Sequence, residues 1–459
     1  MIVVNTGLVL NLFQPGVIDV DGGIFSAVAY KDLHGGTLYL DAWENKMPGV
    51  FYVLELFYFL FPSPIYANFI ITFLLFLVFS IGFYLISFHF TKSIIISIIT
   101  EIVFLVLFIH HSFVGDGLST ELFASACLIL SLTCLYYPFR LFKIKNLHFS
   151  AFFCGISIWF KEVFLPLALI VFVFIWLQSK NKKILLSFLI PSILFSFILL
   201  LQGTFIGFID SIAYNFEYVS KGEKINYTEK INMVFQSIIA PLIALLFYSI
   251  YAAILLFKTK RKEILLYLSF IPASLLLFFI SPYSFGHYLI PTVVFLFISI
   301  LGIIKLSIEN KMPLTLLYVS LLISAYALNK QRDVNLVYRI SEFKHDAISK
   351  KLSEDKDGTL FIDFVDAVPY YIKSNKKHHA FLPVPLRVHF EDNATGILNR
   401  NRLWKELSEN PPKYLITNFS TSYTYWHLPH NGFYKKKYEK TDSVLDKNKE
   451  WVYLWQLKK

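Results

Sequence analysis

Residues able to do chemistry collect at a few places in this 459-residue chain. Asp19 and Asp21 stand one residue apart in DVDGG. Glu44 and Lys46 precede Pro48 in ENKMPG. Glu121 lies in TELF at the head of an apolar run, Lys161 and Glu162 interrupt another, and His287 and Tyr288 begin HYLIP. A carboxylate can take the proton of a hydroxyl nucleophile, and a lysine can hold an anionic group. Each residue also has an ordinary reading. Asp21 suits a helix N-cap. Lys46 suits a snorkelling surface lysine. Glu121, two residues after Ser119, suits a first helical turn, where the dipole favours negative charge. Tyr288 suits an aromatic belt. His287 has no ligand-spaced partner, so metal binding is not indicated there and no metal ligand is assigned.

The background of these residues is apolar. Hydrophobic residues make up 56% of the chain and charged residues 16%, with mean hydropathy +0.57, against roughly 25% charged in soluble proteins. The apolar residues come in runs of about 20, the length a bilayer core demands. A water-soluble fold of this size could not bury so much apolar surface. The net charge of +10 falls largely in short loops between runs, and no Gly-rich phosphate loop or basic-aromatic module accompanies it, which excludes nucleic acid. Cys127, Cys134 and Cys154 lie in apolar runs and read as small buried hydrophobes.

Candidate spans are 65–89, 93–112, 118–138, 148–163, 164–178, 183–203, 238–257, 263–281, 285–306 and 313–328, roughly ten, with the pair in 148–178 open to reading as one helix broken at Lys161-Glu162. Residues 1–13 are apolar, too short to span and without a basic n-region. They read as a truncated first helix or a short packed segment. One alternating set of loops holds Lys92, Arg140/Lys143/Lys145, Lys180/Lys182/Lys183, Lys258/Lys260/Arg261/Lys262 and Lys305/Lys311. The other set, 14–62, 113–117, 204–237 and 282–284, is basic-poor or mixed. The positive-inside rule puts the first set in the cytoplasm, and the long loops and the tail after 329 outside. In the first external loop, Phe25, Val28, Ala29 and Leu33 recur at helical spacing, which predicts an amphipathic helix lying in the interface and closing at Gly35-Gly36. Glu101 is a charge deep in a span with no specific role assigned.

After residue 329 the composition turns polar. LFIDFV reads as a strand, DAVPYYIKSN as a helix, HHAFLPV as a second strand, RLWKELSENPP as a helix, KYLITNF as a strand and WVYLWQL as an edge strand. The expected fold is therefore an α-helical polytopic membrane protein of roughly ten spans, residues 1–328, followed by a small external α/β domain, 329–459, of βαβ type. Asn226, Asn393 and Asn418 open glycosylation sequons, a pattern common by chance.

DxDGGxF, then Y-x-D-x-W-x-N-K-x-P-G, TELF opening a span, HYLxP and an external α/β tail together resemble the GT-C membrane glycosyltransferases that use polyprenyl-phosphate sugars, relatives of the protein O-mannosyltransferases and the lipid A aminoarabinose transferase. The resemblance covers nearly the whole chain; its strongest motifs lie within 19–49. It implies that Asp21 matches the first-loop catalytic aspartate. Gly22 stands where many members carry Glu, so that role is absent or falls to Asp19. Lys46 and Pro48 match the Lys-Pro element near the donor phosphate, Glu44 an acidic residue near substrate, Glu121 the acidic residue after the second external loop, and Lys161, His287 and Tyr288 weaker positions.

The implied activity is transfer of a sugar from a polyprenyl-phosphate carrier, in the plasma (inner) membrane, to an extracytoplasmic glycan, lipid or protein acceptor in cell-envelope synthesis. No cofactor is required by it, and divalent metal dependence stays open. A transporter or flippase of a lipid-linked substrate is the alternative; such proteins carry internal repeats and midplane polar residues, and neither is seen. A glycan polymerase or ligase would carry its chemistry in a large late external loop, whereas the clustered acids here are in 14–62.

Overall fold

The computed structural model describes residues 20–108, 118–136, 146–179, 181–221, 227–234, 262–280, 286–309, 347–355, 357–363, 367–383, 394–417, 437–445 and 451–458. Residues 1–13, Asp19, the spans 238–257 and 313–328, the basic residues of 140–145 and 258–261 and the three sequon asparagines lie outside them.

The described chain is mostly helical. Two helices precede the long apolar elements: α1 (Val20–Leu33) and α2 (Pro48–Leu60). There follow α3 (Pro64–Thr91), α4 (Ile94–Phe108), α5 (Thr120–Tyr136), α6 (Asn146–Ile158), a 3₁₀ turn Glu162–Phe164, α7 (Leu165–Ser179), α8 (Lys183–Leu201), α9 (Phe205–Lys221), α10 (Lys262–Ile280), a second 3₁₀ turn Gly286–Leu289 and α11 (Ile290–Glu309). Among the described residues, α3, the stretch Glu162–Ser179 and α8 are long and apolar enough to cross a membrane. At 1.5 Å per residue the 28 residues of α3 extend about 42 Å, more than a hydrocarbon core. The helices pack as neighbours, α5 on α6 and α3, α8 on α6, α11 on α10 and α3, through aromatic contacts such as Phe83–Phe104 at 3.8 Å and Phe104–Phe297 at 5.0 Å between ring centres. The buried Glu101 is met by the Ser80 hydroxyl of the adjacent helix.

α1 differs from its sequence expectation. Gly22 to Ala29 are buried on every face, while Leu33, placed on the apolar stripe, is 37% exposed. The helix does not lie on the surface with a wet side. It is enclosed by α2 and by a helix of the C-terminal region, and polar bonds replace water: Tyr58 donates to Asn68 Oδ1 at 2.8 Å, and Asn68 Nδ2 to Ser26 Oγ at 2.8 Å. The interfacial pattern appears instead in α9. Its Ile206, Ile209 and Phe216 are exposed, and Gly207, Phe208, Ser211 and Tyr214 are buried.

The C-terminal region holds α12 (Ala347–Glu354), β1 (Leu360–Ile362), α13 (Pro369–Lys373), α14 (Ala394–Glu409), β2 (Tyr414–Thr417), β3 (Tyr438–Leu445) and β4 (Trp451–Leu457). The four-stranded sheet has the order β1-β2-β4-β3, with β1 and β2 parallel and the other pairs antiparallel. WVYLWQL is therefore an inner strand; among the described residues the edges are β1 and β3, and the charges of β3, YEKTDSVL, hide it in the sequence and suit an exposed strand edge. HHAFLPV forms no strand beyond a single bridge, His378 with Leu360. Its backbone is spent on other partners. Phe381 O accepts from Trp43 N at 2.9 Å, Ala380 O from Lys31 Nζ at 2.7 Å, and Phe381 N donates to Glu406 Oε2 at 2.8 Å. Arg402 to Leu40 O, 2.9 Å, and Lys377 to His34 O, 2.6 Å, tie the same two regions.

Candidate active site

The site is assembled from segments distant in the chain. Asp21 lies in the first turn of α1, where the helix dipole favours a carboxylate, with its side chain 32% exposed. Its Oδ2 is 3.8 Å from Nε2 of His287, which the 3₁₀ turn Gly286–Leu289 presents and which is nearly covered. The His287 ring meets Tyr288 edge-on, 4.5 Å between centres. Lys161 Nζ stands 5.5 Å from the centre of the Tyr288 ring and 3.0 Å from Glu121 Oε1. The Lys161 and Glu121 side chains are 10% and 4% exposed, a buried ion pair. Glu121 is in the first turn of α5, which Ser119 caps through Leu122 N at 3.3 Å, and Thr120 Oγ1 donates to its other oxygen at 3.1 Å. Both the helix-start reading and the cluster reading of Glu121 therefore hold at once.

Lys161 owes its position to a chain break. α6 stops at Ile158, the chain runs extended at Lys161 and resumes as a 3₁₀ turn at Glu162. The break turns the lysine inward, where its cost in an apolar setting is met by Glu121. The same break exposes Trp159 O, which accepts from Gly49 N at 2.9 Å. A Cβ at Gly49 would sit 2.5 Å from that oxygen, so only glycine permits the approach. This seats the start of α2 and, with it, the ENKMPG turn. Lys46, half-buried, lies within electrostatic range of Glu121, as does His287. Glu44 is 1% exposed and acts on the Tyr39 side of the turn. Asp21, Lys46, Glu121, Lys161, His287 and Tyr288 thus converge, Glu44 flanks them, and Asp19 lies outside the described residues. Among the described residues no three metal-binding side chains come together.

Several residues around the site carry no local sequence signal. Tyr39 is fully buried at φ +65°, a left-handed conformation unusual for tyrosine, and its hydroxyl donates to Lys46 O at 2.7 Å. Burial holds its phenol well above the usual range, so it serves as a donor. Asn215 of α9 bonds Asn45 twice. At the end of α1, Asp32 accepts from Leu38 N at 3.0 Å and lies in hydrogen-bond reach of Glu55. Burial raises both carboxyls above their ordinary range, Glu55 the more, and Asp32 beside it raises Glu55 further. Only their placement in the fold reveals such a pair.

The helical arrangement with its sheet-containing C-terminal region has the GT-C fold. The structures the chain is similar to include ArnT from Cupriavidus metallidurans bound to undecaprenyl phosphate. That likeness has TM-score 0.65 and 10% identity, over 98% of this chain and 96% of that one. The apo state of the same ArnT gives 0.57 and 11%, over 98% and 96%. The archaeal oligosaccharyltransferase AglB from Archaeoglobus fulgidus, in complex with an inhibitory peptide and a dolichol-phosphate, gives 0.52 and 11%, over 98% of this chain and 73% of that one. No family model matches the chain, and no curated protein matches it in sequence.

Proposed function

We propose that this protein is a membrane glycosyltransferase that moves a sugar from a polyprenyl-phosphate carrier to an acceptor on the outer side of the plasma membrane, in cell-envelope glycan or glycolipid synthesis. The observation that carries the reading is the convergence of Asp21, His287, Tyr288, Lys161, Glu121 and Lys46 on a GT-C fold. It is supported by the ArnT and AglB structures, which hold undecaprenyl phosphate and a dolichol-phosphate. In this reading the chain spans the membrane about ten times, and the first loop and the C-terminal α/β domain lie outside.

Asp21 takes the proton of the acceptor hydroxyl while its oxygen attacks the anomeric carbon in line. The bond from that carbon to the phosphate oxygen breaks, its electron pair stays on the phosphate, and the configuration inverts. The phosphate is a good leaving group, so no strong acid is required. Lys46 holds the charge it gains. His287 orients the Asp21 carboxylate. The Lys161–Glu121 pair holds Tyr288 and His287 in place without presenting a bare charge to the bilayer. Asp19 orients Asp21 or the acceptor, and Glu44 stands near the substrate.

The test is release of radiolabelled sugar from a panel of polyprenyl-phosphate sugars by the purified protein, offered membrane-extract acceptors, with Lys46→Met alongside. Turnover that Lys46→Met cuts at least tenfold supports the reading. Absence of turnover across the panel, with no binding of undecaprenyl phosphate, contradicts it.

A further inference from the structure

Lys46 is asked to hold a phosphate, yet residues 43–47 have no regular secondary structure to fix them. A lysine has a long flexible stem, so its value at a phosphate depends on how firmly its own backbone is set. The structure shows what sets it. One face of α9, at Gly207, Phe208, Ser211, Tyr214 and Asn215, lies along the segment from Tyr39 to Lys46. This is the i, i+3/i+4, i+7 spacing of a single helical stripe. A Cβ at Gly207 would sit 3.0 Å from Tyr39 O. Phe208 meets the Tyr39 ring at 5.6 Å, and Tyr214 meets Trp43 edge-on at 5.2 Å. At the end of the stripe Asn215 closes a two-point amide contact: its Nδ2 donates to Asn45 O at 2.6 Å, and its Oδ1 accepts from Asn45 Nδ2 at 2.5 Å. The next carbonyl, Lys46 O, accepts from Tyr39. Two consecutive carbonyls are therefore held from outside the turn.

We propose that Asn215 is a positioning residue for Lys46, fixing through Asn45 the turn that aims the lysine at the donor phosphate. The proposal rests on the glycosyltransferase reading for the word donor, but the clamp itself is a property of the chain. Asn215→Asp is a sharp perturbation. It preserves size and the acceptor facing Asn45 Nδ2, and sets a carboxylate oxygen against Asn45 O where a donor stood. Asn215→Ala is the second variant and removes both contacts without adding charge.

Hydrogen exchange of the full-length protein, without ligand, reads the clamp directly. Both variants are expected to speed exchange of the 43–48 backbone about tenfold or more, with that of β4 unchanged. Binding of undecaprenyl phosphate reads its consequence in a double-mutant cycle. Asn215→Asp weakens binding about tenfold in the wild-type background and adds nothing to Lys46→Met, because a residue that acts through Lys46 has no further effect once Lys46 is gone. Unchanged exchange at 43–48 in both variants, or losses that add in the cycle, would overturn the proposal. Loosening of 43–48 in a protein that binds no undecaprenyl phosphate would leave the clamp standing and sink the donor reading.

Discussion

The buried pair Glu121–Lys161 separates stability from function. With the charges 3.0 Å apart and the side chains 4% and 10% exposed, each pays for the other's loss of water. Lys161→Met leaves a carboxylate inside the bundle, and Glu121→Leu leaves an ammonium. Removing one partner of such a pair costs about 3–5 kcal/mol, whereas replacing both by apolar side chains of similar size is close to neutral. Thermal denaturation in mild detergent should show each single variant melting on the order of 5–10 °C lower, and the double variant Glu121→Leu/Lys161→Met close to wild type. Activity should not follow. In the double variant Lys161 no longer stands over Tyr288, the contact that backs His287 and through it Asp21, so turnover stays low in a stable protein. Single variants as stable as wild type would refute the buried pair. A stable double variant with full turnover would refute its place in the site.

Other expectations follow from the surrounding contacts. Glu55 and Asp32 both have carboxyls raised by burial, so the stability they contribute is fully present below the ordinary carboxylate range and is lost as pH rises through the folded values. Glu55→Gln, which keeps a neutral donor, should flatten the fall of melting temperature between pH 5 and 9, on the order of that window, and an unchanged slope would contradict this. Gly49→Ala drives a Cβ against Trp159 O at 2.5 Å. It should lower melting temperature and loosen the start of α2 in hydrogen exchange, by a cost on the order of 1–3 kcal/mol. An alanine variant that melts like wild type would show that the close approach does not exist.

The side chains that could be picked out from the sequence are those whose chemistry conflicts with their surroundings. A lysine and a glutamate inside an apolar stretch, or an acid at the head of one, demand a partner, and Lys161 and Glu121 turn out to be each other's. The sequence shows the demand but not the pairing, which depends on how α5 and the break after α6 come together. Tyr39, Asn45 and Asn215 carry no such conflict, since tyrosine and asparagine are ordinary in a polar loop, and only the packing of α9 shows their contacts. The spacing of the apolar residues of α1 predicts one wet and one dry face. The structure covers both, and a periodicity cannot say what covers the polar side. In the C-terminal region β-propensity located β1, β2 and β4 but misplaced the edge. HHAFLPV reads as a strand from its apolar residues, although its backbone bonds go to Lys31, Trp43 and Glu406 and only a single bridge joins it to β1. The charges that hide β3 in the sequence are those that suit it to an edge.

Asp21 is the base in the proposed transfer. Asp21→Asn keeps the size and most hydrogen bonds of the side chain and removes its ability to take a proton. Sugar transfer from radiolabelled polyprenyl-phosphate donor should fall about 10²–10⁴-fold, with undecaprenyl phosphate binding and melting temperature near wild type. An asparagine variant that turns over like an active wild type would mean that Asp21 serves only the start of α1, and that the chemistry assigned to this cluster is wrong.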